Sequence, residues 1–158
     1  MSSASSRALV IGLGNVWAGD DAAGLLVARL VRERAPAGVA VIEHEAEPIA
    51  LLDAWDGASL TIMVDATSGG GEPGAVRVLE ATHEPLPAGF TGTSTHSFGL
   101  AEAIELARAL GRLPERMVVV GIEGERFQAG AEPGPAVTAA LQQAVAQVLA
   151  LVAVKQPS

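Results

Sequence analysis

The sequence predicts a three-layer α/β/α fold built on a five-stranded, twisted, mostly parallel sheet with one antiparallel strand. Short runs of Val, Ile and Leu alternate along the chain with segments that have helical periodicity. Strands separated by helices indicate a parallel sheet covered on both faces. At 158 residues, with neither a repeat nor a linker, the chain is predicted to form a single domain (1–158) with an ordered core of about residues 7–152.

The first half of the chain is expected to contain two strand–helix pairs. Residues 7–11 form a short apolar run that ends at Gly12, which indicates a buried strand, and 20–35 repeat leucine and valine at helical spacing. A second strand is expected at 39–42, and a short helix at 48–55.

Three further strands are expected in the second half. The third, 60–64, is closed by Asp65, and a short glycine-rich turn leads to a fourth at 75–79. The shortness of this turn predicts a hairpin in which the fourth strand is an antiparallel edge strand. After a long polar loop, 81–97, the remaining elements are a helix, a strand and an Ala-rich helix that starts with proline, at 98–110, 116–122 and 135–152.

Composition restricts the class of function. The net charge of −8 argues against nucleic acid or an anionic membrane as a partner. No apolar run approaches the roughly 20 residues that span a bilayer, and the first six residues do not resemble a signal peptide. A cytoplasmic protein is therefore expected. The chain has no cysteine, so a bound metal would be held by histidine, carboxylate or other oxygen ligands.

The glycine-rich stretch after the first strand does not fit a nucleotide site. Gly12 and Gly14 match the start of the dinucleotide fingerprint, but Trp17 stands at the third glycine position. The carboxylates of Asp20 and Asp21 would repel phosphate groups. No cofactor-binding residues of this kind are predicted.

Two carboxylates are expected to meet at the carboxyl edge of the sheet. Sites in such folds lie where the winding of the sheet reverses, here between the first and third strands. Asp21 follows the first strand and Asp65 ends the third. Each acid also has an ordinary structural role open to it, Asp65 as a turn former and either acid of the 20–21 pair as a helix cap. We expect Asp20 to be the cap, which leaves Asp21 to point into the crevice.

His96 is the third candidate, in the loop "TGTSTHSFGL" before a helix. One imidazole and two carboxylates suit a divalent ion such as nickel or zinc and leave coordination positions open for a substrate. A paired-aspartate protease remains an alternative. Serine chemistry is disfavoured because the loop lacks a nucleophile elbow. His44 and His83 are interpreted as solvated neighbours of acidic residues.

Four blocks of the sequence, within residues 8–149, resemble the hydrogenase maturation endopeptidase family: "IGLGNVWAGDDAAG", "VDAT", "STHSFGLAEAIELARALG" and "VVVGIEGERFQAG". The resemblance implies a phosphorylase/hydrolase-like α/β fold and an aspartyl-type, nickel-dependent protease in which Asp21, Asp65 and His96 are both metal ligands and catalytic residues. Its substrate would be the precursor of the nickel–iron hydrogenase large subunit, from which it removes a carboxy-terminal extension after nickel insertion. The nickel would belong to the substrate, and the free protein is expected to be a metal-free monomer.

Two positions depart from the family pattern. Asp21 stands where many members have Glu, and Ala22 replaces a usual glycine. The loops 81–97 and 124–130 are expected to form walls for the extension peptide. Two other functions remain open at this point: a non-catalytic, nickel-dependent checkpoint that binds the precursor, and an independent metallohydrolase.

Overall fold

The computed structural model describes residues 7–14, 19–45, 47–69, 71–87 and 100–153. Within these residues the sheet has five strands: β1 (Ala8–Leu13), β2 (Val39–His44), β3 (Leu60–Thr67), β4 (Val76–Glu80) and β5 (Arg116–Glu123). Their order across the sheet is β2-β1-β3-β5-β4. The first three and β5 are parallel, and β4 is antiparallel to β5 at the edge of the sheet. The predicted fold class is confirmed.

The predicted hairpin between the third and fourth strands is wrong, although β4 is the antiparallel edge strand that was expected. β5 lies between β3 and β4. The chain leaving β3 passes the carboxyl end of β5, where Gly74 N–H donates to the carbonyl of Glu123 and Glu123 N–H donates to Ala75. A glycine-rich turn specifies a change of direction, but it does not specify which neighbour the returning strand will pair with.

In the described part of the chain, four helices cover the two faces of the sheet: α1 (Ala23–Arg34), α2 (Pro48–Trp55), α3 (Leu100–Leu110) and α4 (Pro135–Ala153). α1 and α4 pack on one face and α2 and α3 on the other. Because side chains alternate along a strand, Val10 of β1 contributes to the α1–α4 core, whereas Leu9 and Ile11 contribute to the α2–α3 core. Every residue of β3 is buried, as expected for a central strand of a parallel sheet.

α1 approaches the sheet unusually closely at its first turn. A Cβ added at Gly24 would overlap the carbonyl oxygens of Leu13 and Val64, and one added at Gly12 would overlap the carbonyl oxygen of Gly24. This contact between backbones holds the start of α1 against the carboxyl ends of β1 and β3. A 3-10 turn, Gly19–Ala22, precedes the helix, so the predicted helix at 20–35 begins later than expected.

α4 corrects the expectation that no apolar stretch approaches the length of a membrane span. Its 19 residues have a mean hydropathy of 1.6, enough to cross a bilayer by length and composition alone. Its buried residues pack against α1 and the sheet, while its exposed face carries glutamines. In the described residues 28% of this span is buried, and because the core helix of a soluble protein passes the same test, one such helix is weak evidence of a membrane span.

We predict that Gly24→Ala destabilises the fold by about 1–3 kcal/mol or more, because the added methyl forces α1 away from β1 and β3. Gly71→Ala is the matched control, since its nearest neighbour would lie 3.9 Å away, and a change within about 0.5 kcal/mol is expected. The free energies of unfolding come from urea titration. Equal stability of the two variants would contradict the close approach.

Candidate functional site

The candidate site lies at the carboxyl edge of the sheet, between β1 and β3. From β1 the chain runs through α1 to β2 on one side, and it then returns through α2, across the opposite face, to β3. The winding therefore reverses at the β1/β3 pair, where open α/β sheets form their binding crevices. The predicted reversal of the winding between the first and third strands is thus observed, and the functional role of this position stays a prediction.

Asp21 and Asp65 are brought together there. Asp21 belongs to the 3-10 turn, which lies against β3. Asp65 lies inside β3, two residues before its end, rather than closing it as predicted. Both side chains are buried, with the two residues 6% and 7% exposed.

Burial, and secondarily the charge of Asp21, raise the pKa of Asp65 well above its ordinary value. A hydrogen bond from the backbone N–H of Ala66 acts in the opposite direction and does not offset them. Two neighbouring carboxyl groups that are shielded from water cannot both ionise at their ordinary pKa, because each negative charge disfavours the other. They can share a proton, as in an aspartic dyad, or bind a cation that neutralises them. The arrangement supports either chemistry.

His96 lies outside the described residues. Within the described part of the chain, no group of three or more His, Cys, Asp or Glu side chains is placed to hold a metal ion. The structure thus brings two of the three predicted ligands together. The contribution of His96 stays a prediction.

Asp20 does not cap α1, contrary to the sequence-based expectation. The helix begins after Ala22, whose side chain makes no capping hydrogen bond. The fully buried carboxylate of Asp20 instead accepts three backbone N–H groups, from Glu125 at 2.8 Å, Arg126 at 2.8 Å and Gly134 at 2.6 Å. It therefore binds the loop between β5 and α4, residues 124–134.

Glu123 is a buried acid at this edge that sequence reasoning did not single out. It is 4% exposed and accepts hydrogen bonds from the Thr67 hydroxyl at 2.9 Å and from Gly69 N–H at 3.2 Å. The register pairs Asp65 with Gly121 and Thr67 with Glu123, so Glu123 lies on the same face as Asp65. An acid directly after the apolar run VVVGI was the available signal, but the predicted strand ended one residue too early.

The acidic stretch after β2 has structural roles. Glu43 pairs with Arg29 at 2.9 Å and Arg32 at 3.3 Å. Glu47 caps α2 by accepting the N–H groups of Ile49 and Ala50.

The prediction that the loop 81–97 forms one wall of the site is partly wrong. In the loop predicted at 81–97, the described part, 81–87, lies at the amino edge of the sheet. There Ala81 N–H donates to the carbonyl of Met117, at the start of β5, and Arg108 donates to the carbonyl of Thr82 at 2.8 Å. The other expected wall, 124–130, belongs to the loop 124–134, which is hydrogen-bonded to Asp20. Its contact with the extension peptide stays a prediction.

Comparison with known families matches residues 25–151 to the hydrogenase maturation protease model. The matched range includes Asp65 and His96 but begins after Asp21. The hydrogenase 2 maturation protease of Escherichia coli strain K12 is 30% identical over 148 residues, which cover 91% of this chain and 89% of that protein. The hydrogenase expression/formation protein HupD of Bradyrhizobium diazoefficiens is 29% identical over 124 residues, 77% of this chain and 65% of that protein.

Solved structures show the same similarity. The hydrogenase maturating endopeptidase HybD from Escherichia coli superposes with a TM-score of 0.81 at 29% identity and covers 93% of this chain and 92% of its own. The [NiFe] hydrogenase maturation protease HybD from Thermococcus kodakarensis gives a TM-score of 0.73 at 27% identity, with 92% and 99% covered.

We predict that Asp65→Asn increases the free energy of unfolding at neutral pH. The folded chain holds the Asp65 proton to a higher pH than the unfolded chain does, so Asp65 lowers stability as pH rises from its unfolded pKa through its raised folded pKa. Urea titrations between pH 4 and pH 8 should show a fall in wild-type stability that the variant lacks. Asp56→Asn, which removes an exposed carboxylate, should reproduce the wild-type profile, and a fall of equal size in Asp65→Asn would contradict the prediction.

Proposed function

Because the chain belongs to the hydrogenase maturation protease family and is a peptidase acting in hydrogenase maturation, we propose that it removes the carboxy-terminal extension of the nickel–iron hydrogenase large-subunit precursor. Cleavage follows nickel insertion, and the precursor's nickel is recognised by Asp21, Asp65 and His96. The observation that carries the proposal is the buried pair of Asp21 and Asp65 at the carboxyl edge of the sheet.

Electrostatics explains why such a pair would select a metal-loaded substrate. Burial and the charge of Asp21 disfavour the ionised form of Asp65. A divalent cation carried by the precursor supplies the missing positive charge, and the carboxyl releases its proton as the cation binds. A precursor without nickel brings no positive charge to replace that proton. Recognition therefore favours the loaded precursor over the unloaded one.

The course of the chain around α3 supports a role for His96. Arg108, near the end of α3, donates to Ala81 and Thr82 at the amino edge of the sheet. The first residue of the helix, Leu100, is eight positions before Arg108, about 12 Å along the helix at 1.5 Å per residue, so the helix starts away from these contacts at the amino edge. His96 is four positions before Leu100 in sequence. Asp65 lies on the sheet face that α3 covers, because the side chain of Met63, two residues earlier, packs in the α2–α3 core.

Hydrolysis needs an activated water and a polarised carbonyl group. A nickel ion held by the precursor would supply Lewis acidity near the peptide that is cut. Asp21 and Asp65 hold the end of the precursor that carries the metal. The carboxyl group of Asp65 also accepts or releases a proton. The paired-aspartate mechanism, in which the two acids act on water without a metal, is the alternative that uses the same side chains.

We expect the purified chain to cut the nickel-loaded precursor and to leave the nickel-free precursor intact, as measured by the mass lost with the extension. Asp21→Asn, Asp65→Asn and His96→Ala should each lower kcat/KM at least a hundredfold, because each removes one partner of the cation. Asp56→Asn, which removes an exposed carboxylate beside α2, should retain wild-type activity.

The outcomes separate the candidate functions. Equal cleavage of the nickel-free precursor would refute nickel recognition and favour the paired-aspartate mechanism. A precursor that is bound but never cut would indicate a non-catalytic checkpoint, and a tight stoichiometric zinc in the purified protein would indicate an independent metallohydrolase. Full activity in both Asn variants would remove this site. A cytoplasmic location and a monomeric state stay predictions.

A further inference from the structure

Asp20 directly precedes Asp21 in the sequence, but its side chain contacts a different part of the structure, the loop between β5 and α4. Its two carboxylate oxygens accept N–H groups from both ends of the 124–134 loop: Glu125 and Arg126 at the start, and Gly134 at the end. It is 0% exposed. The Cβ of Asp20 lies 2.7 Å from the point where a Cβ on Gly124 would stand, so the loop is packed against it as well as bonded to it.

Backbone contacts join the same two segments. Gly19 N–H donates to the carbonyl of Ala131 at 3.0 Å, and Asp20 N–H donates to the carbonyl of Arg126. Gly19 has a φ of +59°, and a side chain there would overlap the carbonyl oxygen of Arg126. The 3-10 turn and the 124–134 loop are therefore held together as one unit.

We propose that Asp20 is a positioning residue for cleavage of the precursor. By fixing the 3-10 turn to the 124–134 loop, it sets the place of Asp21 relative to Asp65 and holds the loop as one wall of the site. The loop begins directly after Glu123, which lies on the Asp65 face of the sheet. The inference rests on the proposed function, because positioning is defined here by its effect on the precursor.

A carboxylate suits this task better than an amide of the same shape. Three backbone N–H groups converge on its two oxygens, and a carboxylate offers acceptors only. An amide offers one acceptor oxygen and turns an NH2 group towards at least one of these donors. Asp20→Asn therefore leaves a buried N–H group without an acceptor and releases one end of the loop.

The test compares kinetics per folded molecule in four proteins: wild type, Asp20→Asn, Asp56→Asn and Val148→Ala. Asp56→Asn controls for the loss of a carboxylate. Val148→Ala truncates a buried side chain of α4 and controls for lost stability. The folded fraction is measured by circular dichroism, and KM and kcat are measured with the nickel-loaded precursor.

Asp20→Asn is expected to raise KM at least tenfold, because Asp21 and the loop are no longer held in place before the precursor binds. The two control variants should keep the wild-type KM, since a purely structural loss lowers the number of active molecules without changing each one. A wild-type KM in Asp20→Asn would overturn the inference.

Amide hydrogen exchange provides a second measurement that needs no substrate and no variant. In the wild-type protein the amides of Glu125, Arg126 and Gly134 should exchange at least a hundredfold more slowly than in an unstructured peptide. Exchange at the unstructured rate would overturn the inference even if Asp20→Asn does not fold.

Different results would refute the proposed function. If the wild-type protein cuts loaded and unloaded precursor equally, nickel recognition is refuted, and the KM comparison is made with the unloaded precursor under the same criterion. If the wild-type protein cuts neither, both the function and the inference are overturned.

Discussion

The arrangement of this protein depends on one electrostatic constraint: two carboxylates, Asp21 and Asp65, are buried side by side where the winding of the sheet reverses. Burial and the charge of Asp21 raise the pKa of Asp65, so the folded chain keeps an acid where its ionised form is disfavoured. Ionisation of Asp65 therefore lowers the stability of the fold. A bound cation would favour the ionised form, which is why we propose that the site receives a metal carried by the substrate.

Two other buried acids at this edge hold neighbouring loops through hydrogen bonds. Asp20 accepts three backbone N–H groups, and Glu123 accepts a hydroxyl and a backbone N–H. Asp20 holds the loop that leads to α4, and Glu123 holds the loop that leads to β4. Acidic residues therefore fasten the loops beside Asp21 and Asp65, and the tertiary structure provides the donors that give them this role.

Glycine supports this arrangement through close approach. At Gly24 the start of α1 lies against the carbonyl groups of Leu13 and Val64. This contact fixes the 3-10 turn above the ends of β1 and β3, so that an acid on the turn reaches an acid on the strand. A glycine loop that resembles a nucleotide motif in sequence here positions carboxylates instead of phosphate groups.

Local pattern was sufficient for several parts of the structure. The apolar runs predicted the strands, the helical spacing predicted the helices, and the parallel order placed the crevice between β1 and β3, where Asp21 and Asp65 do meet. These features follow from the nearest neighbours in sequence and from the limited number of ways in which strands and helices alternate. Pattern failed for the partner of β4 and for the role of Asp20, since both depend on residues at least 38 positions away.

The sequence by itself thus determined the fold class and the edge of the sheet at which Asp21 and Asp65 meet, because periodicity and the alternation of strands and helices are local properties of the chain. Only the tertiary structure decided what each acid does. Asp20 and Asp21 are adjacent and chemically identical, and what separates them is which groups the fold brings to each: three backbone N–H donors to one, and a second buried carboxylate to the other.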